Sequence, residues 1–496
     1  MTKKYSTAPF YLFLIPFFFI LQTYQENLGL ISVKTAGLYL ARYLLMSVFV
    51  YAVIYVFSNP VKTKIITALF MLFFFFFTGL HQLLKIYSPI PFFGTYTFVL
   101  PFSILLVFLA YFYVQRSARR FERFSVSLNV LFTVYIILDL ALILYKSSAP
   151  EKQHLSVNQF PEYEQAATCD TCVKPDIYFL LFDGYAGSQS LKEKYRFDND
   201  IDEYLIGKGF EIQTESHSNY NYTGFSLSSI LNMSYIKNFK NPKAATARDY
   251  VACEALIKNN RVTAYLRRSG YDILNFSIFD LQNQPALVEQ YFSPESEELI
   301  TDKTFFDRVN DDIGWHFYTR LNLPVNQNNP FLKHIKNNAL FISHLKTASA
   351  KKTKAPRFIY THLLLPHSPF FFDPNGNPRD RNVIFTEKDY NTPSSYLQYV
   401  QYTNRILKDL IDTIVENNPK AVIVLMGDHG YRLESTEILP RHHFSILNAV
   451  YYPDKDYRLL YDEVSGCNQF RVVLNKLFHQ NFPLLKDSSV YIIDKK

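Results

Sequence analysis

The chain has 496 residues, a length that is enough for two or three domains, and 48% of the residues are hydrophobic. Its formal net charge of +7 is unevenly distributed, since residues 1–148 contain twelve Lys and Arg against three acids, a net of +9, and the remainder carries −2. The basic excess therefore belongs to a strongly apolar region, and we expect no nucleic-acid partner.

Five stretches before residue 148 approach or exceed the roughly 20 apolar residues that a membrane-spanning helix needs. They lie at about 9–23, 36–58, 65–84, 94–115 and 125–146. The first is short enough to be a signal peptide, but no small-residue cleavage site follows it, so we interpret it as a retained span. Residues 1–148 are thus predicted to be an all-α membrane domain of five transmembrane helices.

Basic residues mark alternate ends of these stretches, which indicates the orientation of the protein in the membrane. They lie in the N-terminus and in the second and fourth loops: Lys3, Lys4, Lys62, Lys64, Arg116, Arg119, Arg120 and Arg123. Because basic loops face the cytoplasm, five spans place the C-terminal part on the other side. All four cysteines lie in that exported part, where disulfides are permitted. We expect Cys169 and Cys172 to contribute to a structural bridge, with the pairing left open.

After a polar linker at 149–173, helical and strand patterns alternate. Two continuous apolar runs, at 177–182 and 421–426, predict strands that are buried on both faces. Further strands are predicted at 210–212, 271–276 and 358–365, and helices at 201–209, at 262–268 and after Pro393. This alternation predicts a three-layer α/β domain over residues 174–487.

Both continuous apolar runs end in a carboxylate. Asp183 follows the first run, and Asp428 and His429 follow the second, between Gly427 and Gly430, which we expect to let the chain turn. Open α/β sheets place their ligands at the carboxyl ends of strands, so these residues could meet at one sheet edge. A carboxylate beside an imidazole suits a metal ion, although a polar turn after a strand is the simpler interpretation.

Thr223 lies where a turn-rich segment leads into a predicted helix. The backbone N–H groups and the dipole of a helix N-terminus favour an anion at that position. The Thr223 hydroxyl could attack phosphorus once a metal lowers its pKa, or it could simply cap the helix. The sequence pattern leaves both interpretations open.

Four sequence pieces, in order, resemble those of the alkaline phosphatase superfamily, in its membrane-anchored sulfatase-like branch of lipoteichoic acid synthases, phosphoglycerol transferases and lipid A phosphoethanolamine transferases. The pieces are residues 175–183, Thr223-x-x-Ser226-Leu227, Leu365-Pro366-His367-x-Pro369 and residues 427–430. The resemblance implies a domain of the alkaline phosphatase/sulfatase type. It also implies that one divalent ion, zinc or manganese rather than magnesium, is held by Asp183, Thr223, Asp428 and His429, and that Thr223 forms a phospho-threonine.

Three further histidines and one arginine have expected roles, some of them with an alternative. His367 is expected to face the substrate, where it could stabilise the phosphate or protonate the leaving oxygen, unless it is a solvated loop histidine. His443 is expected to contact substrate or a second metal. His362, inside an apolar strand, is predicted to be a satisfied core histidine. Arg308 faintly resembles a phosphate-contacting arginine of the synthases, and we predict a surface residue.

The resemblance implies metal-dependent transfer of a phospholipid head group, of phosphoethanolamine or phosphoglycerol type, to an envelope glycan or lipid. The reaction would take place at the periplasmic or extracytoplasmic side of a bacterial inner (cell) membrane. The alternatives are a membrane-anchored phosphodiesterase or phosphatase, a sulfatase, and an inactive binding protein. No cysteine lies in the C/S-x-P-x-R segment that sulfatases require. Asp183 stands where the synthases and ethanolamine transferases carry Glu, as in phosphodiesterase relatives, so the substrate does not follow from the resemblance.

Overall fold

The computed structural model describes residues 8–118, 121–148, 155–158, 160–239, 241–288, 296–314, 330–379, 392–432 and 440–493. Residues 149–154 and 159 of the predicted linker lie outside the described residues. The chain divides into two compact units. A helical unit comprises Met1–Lys152 with Pro294–Leu323, and an α/β unit comprises Gln153–Ser293 with Pro324–Lys496.

The helical unit contains five long helices. They are α1 (Tyr11–Glu26), α2 (Val33–Phe57), α3 (Pro60–Tyr87), α4 (Tyr96–Arg116) and α5 (Glu122–Ser148), with a short 3₁₀ turn at Pro91–Gly94. By length and composition, α2 to α5 could each cross a membrane. The 16 residues of α1 extend about 24 Å, less than the roughly 30 Å of a bilayer's hydrocarbon core. Four of the predicted spans are therefore confirmed as apolar helices of sufficient length, and the first, at about 9–23, stays a prediction.

A segment from much later in the sequence also belongs to the helical unit. It contains two short helices, Glu298–Thr301 and Phe305–Val309, followed by a π-helical turn at Asn310–Gly314. The Phe305 ring lies 4.8 Å from that of Phe73 and 4.9 Å from that of Phe77 on α3. Contact with this segment accounts for part of the aromatic run in α3. Arg308 is within this segment and pairs with Asp312 at 3.0 Å.

The α/β unit is built on a mixed sheet. The strands of this unit are β1 (Ser156–Val157), β2 (Ile177–Phe182), β3 (Glu211–Ile212), β4 (Ile236–Lys237), β5 (Asp272–Phe276), β6 (Arg357–Leu363), β7 (Val422–Gly427) and β8 (Asn448–Tyr451). Six of them form one sheet in the order β3-β8-β7-β2-β6-β5, and β1 pairs separately with β4. The four strands from β7 to β5 are parallel, whereas β8 and β3 are antiparallel to their neighbours. The predicted α/β class is confirmed.

Helices cover both faces of this sheet. They are α6 (Ser188–Tyr195), α7 (Ile201–Gly207), α8 (Thr223–Asn232), α9 (Ala247–Lys258), α10 (Arg261–Arg268), α11 (Pro330–Ala350), α12 (Pro393–Asn417) and α13 (Gly466–Phe478), with single turns at Pro161–Glu164, Pro242–Ala244 and Pro440–His443. One group consists of α8 with α9, α10 and α13, and another of α12 with α7 and α11. Every residue of β2, β6 and β7 is buried, which requires cover on both faces.

The register of the central strands brings their carboxyl ends to one edge. Phe182 of β2 pairs with Leu363 of β6 on one side and with Gly427 of β7 on the other. The residues that follow, Asp183 and Asp428, therefore leave the sheet side by side. Elsewhere in the unit, Cys169 and Cys172 form a disulfide, and Cys253 and Cys467 are buried free thiols.

Candidate active site

A buried cluster of carboxylates and imidazoles lies at this sheet edge. Asp183, His362 and Asp428 each offer one ligand atom, and these atoms lie within 4.8 Å of one another. All three residues have 0% relative exposure. His362 comes from within β6, where it pairs with Leu181 of β2. The parallel register of β6, β2 and β7 thus assembles a possible metal centre from three separate strands.

His429 approaches the same centre. Its Nε2 atom lies 3.4 Å from Asp183 Oδ1 and 3.6 Å from Asp428 Oδ2, and His362 Nε2 lies 3.7 Å from Asp183 Oδ2. These separations exceed ordinary hydrogen-bond lengths. Two ligands at about 2.0–2.1 Å from a shared tetrahedral ion would lie about 3.4 Å apart. The spacing therefore fits atoms that surround a common cation.

Hydrogen bonds to neighbouring backbone groups orient the candidate ligands. Asp428 Oδ1 accepts from the N–H of Gly184 at 2.8 Å and from that of His429 at 2.9 Å. His429 Nδ1 lies 2.8 Å from the carbonyl oxygen of Gly430, which can only accept, so Nδ1 carries the proton and Nε2 has a free lone pair. This arrangement leaves Asp428 Oδ2 and His429 Nε2 to face the centre, as is usual for metal ligands.

Several buried polar atoms at the centre have no hydrogen-bond partner among the described residues. They are both oxygens of Asp183, Asp428 Oδ2, His429 Nε2 and both ring nitrogens of His362. Buried polar atoms are almost always satisfied in native proteins, so this concentration of exceptions requires an explanation. A divalent cation would satisfy the carboxylate oxygens, His429 Nε2 and one ring nitrogen of His362. His362 is buried as predicted, but it is not a satisfied core histidine.

The protonation states of the cluster also suit metal binding. Burial alone would raise the pKa of the Asp183 carboxyl, but the neighbouring His367, His429 and His362 outweigh it and hold this pKa below its usual range. Burial lowers the pKa of His362. Both shifts favour the forms that coordinate metals, a carboxylate and a neutral imidazole.

Thr223 is the first residue of α8, and the first turn of this helix is bonded to the Asp428 turn. The hydroxyl of Ser226, in the first turn of α8, donates to the carbonyl oxygen of Asp428 at 2.6 Å and fixes the helix start there. Thr223 is 2% exposed, and its Oγ1 has no hydrogen-bond partner in the described part of the chain. The structure thus gives no support to the capping interpretation. The buried hydroxyl lies at a helix N-terminus, which favours a phosphate.

Glycines permit the close approach of the segments around the centre. Gly184 has a φ of +72°, and a Cβ there would lie 3.4 Å from His429 Cε1. Gly427 and Gly430 do not have positive φ angles, contrary to a simple turn interpretation, but a Cβ would lie 2.3 Å from Tyr185 O and 2.2 Å from His442 O, respectively. These two glycines are therefore required by crowding rather than by backbone conformation.

A cavity of about 230 Å³ opens beside His429. Its lining includes Tyr222, His367, Tyr396, Tyr431 and Arg432. The Arg432 guanidinium lies 4.4 Å from the centre of the Tyr222 ring, next to Thr223 in sequence. Tyr396 stacks on Tyr431 at 3.9 Å, and its hydroxyl donates to the carbonyl oxygen of Gly184 at 2.9 Å. The cavity thus combines aromatic walls with a cation that could bind a phosphate ester.

The two remaining predicted site residues, His367 and His443, lie in different surroundings from each other. His367 lines the cavity, and its ring centre lies 6.5 Å from that of His429. Its Nδ1 donates to Ser368 O at 2.6 Å, which leaves Nε2 available. His443 is buried against Tyr491, 5.5 Å between ring centres, and does not line this cavity or join the metal cluster among the described residues. The roles of both histidines stay predictions.

The sequence patterns indicated neither His362 as a candidate ligand nor Arg432 as a residue of the cavity. The apolar pattern around His362 indicates a core strand and conceals the position of its ring. Arg432 follows Gly427-Asp428-His429-Gly430 by two residues, so its position just beyond a strand end was a usable signal. Arg308, by contrast, belongs to the helical unit and pairs with Asp312.

Comparison with known proteins gives a family and several remote structural likenesses. The sequence model of the sulfatase family matches residues 213–463, just over half of the chain. No curated protein matches this sequence. Lipooligosaccharide phosphoethanolamine transferase A (EptA) from Neisseria meningitidis is similar over 95% of this chain and 94% of its own, with 13% identity and a TM-score of 0.42.

Two other solved structures resemble shorter parts of the chain. The periplasmic domain of EptC from Escherichia coli covers 70% of this chain and 94% of its own, with 12% identity and a TM-score of 0.39. Phosphonate monoester hydrolase of Agrobacterium radiobacter covers 61% of this chain and 74% of its own, with 13% identity and a TM-score of 0.37. At these values the likenesses carry no argument about substrate. The match to the family model, which spans Thr223, Asp428 and His429, shows that the chain belongs to the sulfatase family.

Proposed function

We propose that the α/β unit transfers a phospholipid head group, of phosphoethanolamine or phosphoglycerol type, to a hydroxyl of an envelope glycan or lipid through a phospho-threonine at Thr223. The observation that carries this proposal is the buried Thr223 hydroxyl, which has no hydrogen-bond partner among the described residues and lies at the start of α8, the helix that Ser226 links to the Asp428 turn. A hydroxyl in that position, unlike the Cys or Ser of sulfatases, directly supplies an oxygen nucleophile.

In the first step, Thr223 Oγ1 releases its proton to water and forms a bond to phosphorus, and the bond between phosphorus and the glycerol oxygen of the phospholipid breaks. Diacylglycerol leaves, and its oxygen takes a proton from His367 Nε2, the ring nitrogen that is not bonded to Ser368 O. Arg432 contacts the non-reacting phosphoryl oxygens from the cavity wall.

In the second step, the acceptor hydroxyl attacks the phospho-threonine. His367 Nε2 takes the proton of that hydroxyl, the new oxygen–phosphorus bond forms, and the bond from phosphorus to Thr223 Oγ1 breaks. Thr223 Oγ1 takes a proton from water and returns to its hydroxyl form. Water in place of the acceptor would give a phosphodiesterase, which uses the same residues and differs only in the final nucleophile.

We propose that the centre holds one divalent ion, with Asp183, Asp428, His429 and His362 as side-chain ligands and Thr223 beside them. The mixture of carboxylates and imidazoles suits zinc or manganese better than magnesium. When bound, such an ion lowers the pKa of a nearby hydroxyl and offsets phosphoryl charge.

The helical unit supports a lipid donor and an extracytoplasmic location. Four of its helices are long and apolar enough to cross a membrane, which is more than a simple anchor needs. The Cys169–Cys172 disulfide fits an oxidising compartment, in agreement with the loop-charge prediction. We propose a multi-pass protein of a bacterial inner (cell) membrane with its α/β unit on the periplasmic or extracytoplasmic side.

The test uses full-length protein in vesicles of phospholipid labelled in the head group. We expect release of diacylglycerol and label on the Thr223 peptide, detected by mass spectrometry. Thr223→Ala should abolish both, and Thr223→Ser should keep part of the activity because it keeps a hydroxyl. Diacylglycerol release that survives Thr223→Ala would disprove the nucleophile, and label recovered only as free head group would favour the hydrolase.

A further inference from the structure

A segment that follows α13 in the α/β unit runs beside the residues that lead into α8. We call this segment, residues 487–493, the strap. One isolated bridge pairs Val490 of the strap with Tyr220 in parallel, and the Val490 N–H donates to the carbonyl oxygen of Asn219 at 2.8 Å. The match to the sulfatase family model ends at residue 463, so the strap lies outside the part of the chain that the family model matches.

Side chains on both segments add to this backbone pairing. Asn221 Nδ2 donates to the carbonyl oxygen of Ile492 at 3.0 Å, and the Ile492 N–H donates to Asn221 Oδ1 at 2.8 Å. One side-chain amide thus uses both of its groups on one residue of the strap. Ser489 Oγ donates to the carbonyl oxygen of Ser218 at 2.6 Å. Asn221 is 2% exposed, so its bonds are shielded from water and costly to lose.

The strap also packs on the side where α8 begins. The Ile492 side chain is 1% exposed and belongs to the same hydrophobic cluster as Tyr220 and Phe225, the third residue of α8. The next residue, Ile493, has a side chain that is 43% exposed. Burial of Ile492 therefore anchors the strap independently of the Asn221 hydrogen bonds.

Thr223 lies between two anchored points of the chain. On one side, Ser226 Oγ donates to the carbonyl oxygen of Asp428 at 2.6 Å. On the other side, Asn221 is bonded to Ile492 of the strap. Two residues span at most about 7 Å, so a shift of Asn221 displaces Thr223. A nucleophile misplaced by about 1 Å can lose about a hundredfold in rate, so both anchors matter for attack by the hydroxyl.

We propose that the strap positions Thr223 for attack on phosphorus, with Asn221 as the positioning residue and Ile492 as its anchor. The attack itself rests on the proposed function, whereas the hold of the strap on the start of α8 does not depend on catalysis. The candidate metal ligands lie within or directly after β2, β6 and β7. Loosening the strap should therefore displace the nucleophile and leave the metal centre in place.

The first measurement is backbone hydrogen exchange on the full-length protein. Asn221→Ala removes two hydrogen bonds to the strap, and Ile492→Ala removes its buried side chain. Each variant should speed exchange in the strap and the first two turns of α8 by about tenfold or more, while β2 exchanges as in the parent. The matched controls are Ile493→Ala and Asn259→Ala, both at exposed positions, which should exchange like the parent.

The second measurement separates positioning from a general structural role. Single-turnover kinetics of the full-length, zinc-loaded protein with a chromogenic phosphodiester give a rate constant at saturation and a half-saturation concentration. Asn221→Ala and Ile492→Ala should lower the rate constant by about tenfold to a hundredfold. The half-saturation concentration and the zinc affinity should stay at the parent values, because these variants leave the cavity wall and the ligands unchanged.

The proposal is overturned if exchange in α8 is unchanged in both variants. It is also overturned if exchange becomes faster while the rate constant stays at the parent value, or if only zinc affinity falls. Phosphodiester cleavage that survives Thr223→Ala would instead disprove the proposed function, and the exchange measurement would still decide whether the strap holds the start of α8.

Discussion

His429 Nε2 lies 3.4 Å from Asp183 Oδ1, although the two residues are far apart in sequence. The approach follows from backbone register, because β2 and β7 run in parallel with Phe182 opposite Gly427. The hydrogen bond from the N–H of Gly184 to Asp428 Oδ1 joins the two strand ends beyond that pair. Because the sheet sets these positions, single side chains of the cluster can be replaced while the others stay in place.

The first prediction concerns His362. Neither ring nitrogen of His362 has a hydrogen-bond partner among the described residues. If one of them binds metal, His362→Gln should weaken zinc binding by about tenfold to a hundredfold, measured by competition with a chromogenic chelator. Substitution with cobalt should also give a changed visible spectrum, since the ligand set differs.

The control for His362→Gln is His344→Gln, at an exposed position on α11, which should bind zinc like the parent protein. Unchanged zinc affinity and an unchanged cobalt spectrum in a folded His362→Gln protein would show that His362 is a core residue, as its strand pattern indicates.

The second prediction concerns Arg432. Its guanidinium lines the cavity beside His429, so Arg432→Met should raise the KM for a phosphodiester substrate by roughly tenfold to a hundredfold, the equivalent of about 1.5–3 kcal/mol for a charged hydrogen bond. Arg432→Lys should recover only part of the loss, because an ammonium does not reproduce the planar guanidinium.

Steady-state kinetics with a chromogenic phosphodiester provide the measurement for Arg432. Arg458→Met is the matched control, because Arg458 is an exposed arginine paired with Asp456. An unaltered KM in Arg432→Met would exclude a contact between this residue and the phosphate.

Local patterns in the sequence predicted five of the six strands of the main sheet, all except β8, and part of the candidate centre. The runs at 177–182 and 421–426 are continuous and apolar because both faces of β2 and β7 are covered, so their ends could be located. Asp183 and Asp428 follow directly from those ends. Thr223 was found for a similar reason, since it stands at the boundary between a turn-rich segment and an amphipathic helix.

The remaining features depend on contacts between distant segments, which no local pattern encodes. His362 has the sequence surroundings of a core residue, and only the pairing of β6 with β2 brings it to Asp183. The need for glycine at 427 and 430 arises from carbonyl groups of Tyr185 and His442. The contact of Phe305 with α3 likewise depends on tertiary packing, so its assignment to the helical unit could not be predicted.

The third prediction is a pH dependence of stability that arises from His443. Burial, followed by the charges of Arg432 and His429, lowers the pKa of His443 from its ordinary 6.5 to about 4 in the folded protein. The unfolded chain therefore binds this proton more readily than the folded one. The stabilisation is complete above pH 6.5 and is lost progressively as the pH falls from 6.5 towards 4.

Thermal unfolding between pH 7.5 and pH 4.5 measures the contribution of His443. His443→Gln cannot titrate, so its unfolding temperature should fall less on acidification than that of the parent protein. His344→Gln should behave like the parent. Identical pH profiles for the parent and His443→Gln would refute the assignment.

The last prediction tests the crowding around the Gly427-Asp428-His429-Gly430 turn. A Cβ at Gly430 would lie 2.2 Å from the carbonyl oxygen of His442 and 2.8 Å from that of Ser445, both of them backbone atoms that cannot rotate away. Gly430→Ala should therefore shift the turn, lower the unfolding temperature and weaken metal binding, because His429 Nδ1 is oriented by Gly430 O.

Gly207→Ala is the matched control, since a Cβ there meets nothing within 4 Å. Alanine in place of glycine should stabilise that helical position by roughly 0.5–1 kcal/mol. Equal metal affinity in the two variants would mean that the turn can relax without moving His429.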